Sequence, residues 1–177
     1  MAKLGQTPSQ TVGPFFFFGL CVLPAANELV TPDVKDAIVI SGRVLDGAGE
    51  PLPDAMVEIW QADAEGVYRD NFGWARSGTS ADGEFSFVTV KPGRVPGPEE
   101  TLQAPHLTVL VFARGMLKAA QTRMYFSDEA EANAEDPVLN GIEDERARAS
   151  LIAGHAENGF RFDIHLQGDR QTAFFAI

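Results

Sequence analysis

From Ala37 to Leu166 the chain is written as short runs of alternating apolar and polar residues, each cut off by glycine or proline. A period of two sends successive side chains to opposite faces, and runs this short and this often interrupted build sheets rather than long helices. Ile38, Ile40, Gly42 and Val44 alternate with Val39, Ser41, Arg43 and Leu45, and Asp46-Gly47-Ala48-Gly49 then marks a turn. Ala55 to Gln61 gives a second strand, with Val57 and Ile59 on one face and Met56, Glu58 and Trp60 on the other. Asp82-Gly83 is a hairpin signal before a strand over Phe85 to Val90, which Lys91-Pro92-Gly93 ends. Leu107 to Ala113, the most apolar stretch, is expected at the centre of a sheet. Met124-Tyr125-Phe126 is short and β-prone, and Phe160 to Leu166 alternates strictly. Ser127 to Asn133, opened by Ser127 as a cap, and Ile142 to Ala153 are expected as short peripheral helices. The fold class is therefore all-β, a sandwich with short helices at its edge.

The N-terminal segment obeys a different rule. Residues 5–14 are polar and hold two glycines and two prolines, which makes an extended arm. Four adjacent phenylalanines, Phe15 to Phe18, cannot all face one core in either period. They read either as a segment clamped between surfaces of two chains or as a strand buried on both faces. The expected division is an arm and interface segment over 1–36 and a sandwich domain over 37–177. At 177 residues the chain has the size of one domain.

Charge and composition narrow the function. A net charge of -11 repels phosphate backbones and argues against nucleic-acid binding. An anionic ligand would need a local arginine on such a surface. Cys21 is the single cysteine, so no internal disulfide forms. The apolar run Phe15 to Leu23 falls far short of the ~20 residues of a spanning helix, and a cytoplasmic protein is expected. No Ser/His/Asp set, phosphate-binding loop, CxxC or HExxH occurs.

Several stretches carry a resemblance. Ile40-x-Gly42-x-Val44-x-Asp46-x-x-Gly49-x-Pro51, Ala55-x-Val57-x-Ile59-Trp60 and Asp82-Gly83-x-Phe85 form a strand grammar. Intradiol dioxygenases share it with carboxypeptidase-regulatory-like and Cna-B-like modules, and a binding module of that kind is the alternative reading. Trp60-Gln61-Ala62-Asp63-Ala64-Glu65-Gly66-Val67-Tyr68 and the arm Thr7-Pro8-Ser9-Gln10-Thr11-Val12-Gly13-Pro14-Phe15 favour the dioxygenases. With Ala104-Pro105-His106-Leu107 and Phe112-Ala113-Arg114-Gly115, the chain resembles the alpha rather than the beta chains of the protocatechuate-cleaving members.

That resemblance implies a chemistry: non-haem Fe(III), held by two tyrosines and two histidines of an HxH strand, opens the catechol ring with O₂ between its hydroxyl-bearing carbons. In this chain His106 matches the first histidine, but Thr108 stands at the second and Val95 at the tyrosine position after the Lys91-Pro92-Gly93 turn. The other tyrosine belongs in the loop Asp70 to Arg76, which holds Phe72 and Trp74 and no tyrosine. The resemblance thus implies no catalytic residue and no metal ligand set in this chain alone. The Fe(III) would lie in a homologous beta chain, the partner in an αβ oligomer. Thr11, Gly13, Pro14 and Arg114 match residues that an alpha chain contributes to the substrate side of that pocket.

Overall fold

The computed structural model describes residues 5–13 and 15–176. Strand β1 (Ala37–Leu45) pairs antiparallel through Ala37–Arg43 with all of β4 (Glu84–Val90), and Ile40 faces Phe87 in register. Strands β10 (Gly159–Arg161) and β11 (Ile164–His165) run parallel to β1, and β9 (Ile152–Ala156) returns antiparallel to β10. A second layer orders β3 (Trp74–Gly78), β2 (Met56–Trp60), β7 (His106–Phe112) and β8 (Ala120–Phe126), all antiparallel. A short parallel pairing, Tyr125 with Ile152 and Phe126 with Ala153, joins the layers. Strands β5 (Val95–Pro96) and β6 (Leu102–Gln103) form a separate small ribbon. The inward residues Ile40, Val44 and Phe87 of one layer and Val57, Ile59, Val109, Val111 and Phe126 of the other make one core. The expected all-β sandwich is thus the fold, and Leu107 to Ala113 supplies its central strand.

Several elements differ from the sequence reading, each for a local reason. Trp74–Gly78, expected largely as loop, is strand β3, which covers the free edge of β2. Asp82-Gly83 makes a tight turn, with Gly83 at φ +72 and Ser80 N–H donating to the Glu84 carbonyl. That turn is a corner between layers rather than a hairpin, because β4 pairs with β1. The alternating stretch Phe160 to Leu166 breaks at Phe162-Asp163, where the Asp163 carboxylate accepts the Arg43 backbone N–H at 3.0 Å. A Cβ on Gly42 would lie 1.8 Å from the Phe162 carbonyl oxygen, so glycine is required where the two strands close.

The helices are shorter than expected. They are α2 (Ala130–Glu135), α3 (Pro137–Asn140) and α4 (Glu145–Ala149). Asp136 and Asp144 cap α3 and α4, each accepting two backbone N–H groups, whereas Ser127 caps nothing and α2 starts after Glu129 without a side-chain cap. The chain from Ile152 onward, read as helix to Ala153, turns into β9 instead.

The phenylalanine run forms α1 (Phe15–Leu20), a short helix and not a strand. Phe16 and Phe17 are half-buried against the chain's own sheet, while Phe15 is 84% and Phe18 66% exposed. Gly78 is the socket: a Cβ there would come within 2.7 Å of the Phe17 ring and 2.8 Å of the Cys21 Cβ. Arg76, paired with Glu58 at 2.5 Å, also reaches the Leu20 carbonyl at 3.5 Å. The helix is therefore latched to β3, and its outer face stays apolar and bare in this chain.

Candidate functional site

Strand β7 ends at Phe112, and Ala113-Arg114-Gly115 turns away from the sheet with Gly115 at φ +86. Positive φ is strained for residues with a Cβ, so glycine follows Arg114 for a backbone reason. The arm crosses this turn. Thr11 Oγ1 accepts the Gly115 N–H at 2.7 Å, and the Gly13 carbonyl accepts the Phe16 N–H at 3.1 Å, which carries the arm into α1. Val12, Gly13, Phe16 and Phe17 then line a cavity of about 230 Å³ with Asp54 and Arg114. Three of the residues singled out from the sequence, Thr11, Gly13 and Arg114, are thus brought together although about a hundred residues of chain separate the arm from Arg114. Pro14 lies outside the described residues. A Cβ on Gly13 would meet nothing within 4 Å, so no contact inside this chain demands glycine there.

The sequence reading missed Asp54. It sits in the connection before β2, at φ +59, with Oδ1 at 3.5 Å from Arg114 Nε. The signal was faint: a Pro-Asp pair in a turn is expected to be structural, and only the fold carries it to Arg114.

The other constellation lies around the ribbon β5–β6 and the start of β7. His106 is buried, and its Nδ1–H donates to the Ala104 carbonyl at 2.8 Å. Burial, and then the Arg123 guanidinium, hold its imidazole below the ordinary histidine range. Thr108 faces Arg123 across the β7–β8 ladder, and Val95 faces Gln103 across the ribbon. Arg123 Nη1 donates to Gln103 Oε1 at 2.7 Å and to the Tyr125 hydroxyl at 3.2 Å. Tyr125 in turn donates to Asp136 Oδ1 at 3.2 Å, and the fully buried Asp136 also accepts the Ala104, Val138 and Leu139 N–H groups. Burial raises the Tyr125 phenol, which keeps it protonated. Tyr68 stacks on Trp60, ring centroids 5.9 Å apart and planes 2° from parallel, and burial raises its phenol as well.

This arrangement does not fit a ferric ion. Hard Fe(III) asks for phenolate oxygen and imidazole. The candidate positions offer one imidazole, a threonine and a valine, and the stretch 70–76 ends as strand β3 with Trp74 under the Arg76 guanidinium. Among the described residues, no three His, Cys, Asp or Glu side chains converge as a metal site.

Comparison with known proteins places these observations. Residues 24–168 match the family described as Dioxygenase. The chain is 41% identical to a protocatechuate 3,4-dioxygenase alpha chain of Pseudomonas putida, over 97% of this chain and 96% of that one. It is 43% identical to the alpha chain of Burkholderia cepacia over the full length of both. With the beta chain of Burkholderia cepacia it shares 36% over 84% of this chain and 74% of that one. Among solved structures it resembles the dioxygenase domain of a carbohydrate-binding fusion from Streptomyces sp. SirexAA-E, with a TM-score of 0.61, 25% identity, and coverage of 92% and 99%.

Proposed function

The chain belongs to the intradiol ring-cleaving dioxygenase family, and from that premise we propose that it is the alpha-type subunit of a protocatechuate 3,4-dioxygenase. It pairs with a homologous beta chain in an αβ oligomer. The binding-module alternative is not favoured, because the likeness to the alpha chains runs the length of the chain, arm included.

The beta chain carries the Fe(III), which when bound supplies catecholate binding and activation toward O₂. Protocatechuate takes up both atoms of O₂, the bond between its two hydroxyl-bearing carbons breaks, and 3-carboxy-cis,cis-muconate results. The present chain supplies a wall and a cation. Thr11 fixes the arm on the Arg114 turn, Gly13 forms a backbone wall to which the sequence also assigns Pro14, and the Arg114 guanidinium meets the anionic end of the substrate. On a chain of net charge -11 that local cation is needed to accept an anion. Guanidinium suits a carboxylate better than ammonium because its planar donors match the two oxygens. The bare apolar faces of α1, with Phe15 and Phe18, are where the beta chain would cover this subunit. No helix among the described residues is long and apolar enough to cross a membrane. We place the assembly in the cytoplasm, where a single free cysteine, Cys21, suits a reducing compartment.

The observation that supports this reading is that Gly13 and Arg114 line one cavity, with Thr11 tying the arm to the Arg114 turn, in a chain that has Thr108 and Val95 where the family's metal ligands stand. The test is Arg114→Ala in the assembled enzyme. Loss of a charge-assisted hydrogen bond costs about 1.5–3 kcal/mol, so kcat/KM for protocatechuate should fall roughly tenfold to a hundredfold. Iron content and oligomer size should stay unchanged, and Arg114→Lys should recover part of the loss. Unaltered kinetics for Arg114→Ala would remove it from the site.

A further inference from the structure

We propose that Asp54 is a product-release residue of the αβ enzyme, a fixed negative charge that lets the substrate in and pushes the ring-opened product out; this rests on the function proposed above. Two charged groups line the cavity between arm and β7 turn, Arg114 and Asp54. Their closest approach is 3.5 Å, from Arg114 Nε to Asp54 Oδ1, and no hydrogen bond joins them. The carboxylate therefore stands beside one edge of the guanidinium and leaves the paired Nη edge free.

The Asp54 backbone holds φ +59, a left-handed turn conformation that glycine, asparagine and aspartate all adopt. Asparagine would serve this turn as well as aspartate does, so the backbone does not require the charge that stands beside Arg114. The chemistry of the reaction gives this charge a use. Protocatechuate carries one carboxylate. Opening the ring turns its two hydroxyl-bearing carbons into two further carboxylates, so the product carries three. Arg114 and Asp54 together are neutral, which leaves a monoanion only weakly opposed. The trianion adds negative charge beside Asp54 with no further cation among the cavity-lining residues to offset it. Coulomb repulsion scales with the product of the charges, so Asp54 discriminates against product more than against substrate.

The experiment compares wild type with Asp54→Asn in the assembled, iron-loaded enzyme. Asparagine keeps the shape, suits the positive φ and removes the charge. Equilibrium dialysis gives the product Kd without turnover, and anaerobic titration gives the protocatechuate Kd. Moderate screening near the surface sets the expected size: product should bind about tenfold tighter, and substrate about twofold to threefold tighter. Added salt should shrink the difference. Asp54→Gly, which also relieves the backbone, should give the same ratio. Equal effects on both ligands, or none, would overturn the proposal. The two readings fail separately. If Arg114→Ala weakens turnover while Asp54→Asn leaves the product-to-substrate ratio unchanged, only the release role is lost. If Arg114→Ala is silent, the site itself is wrongly placed.

Discussion

Replacing Gly78 with valine should detach the arm helix without unfolding the sandwich. The β carbon alone would stand 2.7 Å from the Phe17 ring and 2.8 Å from the Cys21 Cβ, and valine adds two methyls beyond it. Overpacking of this kind costs about 1–3 kcal/mol. What holds α1 down is of similar size. Phe16 and Phe17 are half-buried, which gives each about 1 kcal/mol, half the value of a fully buried side chain. The bond from Arg76 to the Leu20 carbonyl is long at 3.5 Å. Docking is thus marginal, and a penalty of 1–3 kcal/mol decides it. Strand β3 itself should tolerate valine, since a β-branched residue suits an edge strand. Hydrogen exchange followed by mass spectrometry is the assay. Amides of residues 15–22 should lose protection, while those of β2 and β7 keep theirs. Turnover by the assembled enzyme should fall, because Thr11 and Gly13 reach the cavity through this helix. Unchanged protection over 15–22 would show that the Gly78 contact does not hold the arm.

Two further outcomes follow from the buried polar network. Asp136→Ala removes the α3 cap, the Ala104 N–H acceptor and the Tyr125 partner together, and should cost about 3 kcal/mol in urea unfolding of the assembled protein. A loss under 1 kcal/mol would mean that water replaces these bonds. His106 has its pKa lowered in the folded state by burial and by Arg123. The folded state therefore binds fewer protons than the unfolded one below the ordinary histidine value of about 6.5. Stability should be full above that pH and decline as pH falls from it toward the lower folded value. In His106→Gln this part of the acid slope should disappear; an unaltered slope would assign it to other groups.

The period-two runs of β1, β2, β4 and β7 determined the sandwich, because a strand buried on one face must alternate whatever its partners are. Missing residues determined the absence of an iron ligand set, since no packing can turn Thr108 or Val95 into a ligand. Tertiary structure decided what depends on neighbours. The run Phe15–Phe18 has no helix or strand period, and it became a helix because Gly78 leaves room for the Phe17 ring. Trp74–Gly78 became a strand because the edge of β2 needed a partner. Ser127 was expected to cap the helix after it, but α2 starts without a side-chain cap, while Asp136 and Asp144 cap α3 and α4 because their carboxylates stand beside free backbone N–H groups. Arg114 was visible from its motif, but Asp54 was not. Sequence separation hides a pair that only the folding of β2 against β7 brings to 3.5 Å, and charge acts over distance in space, not along the chain.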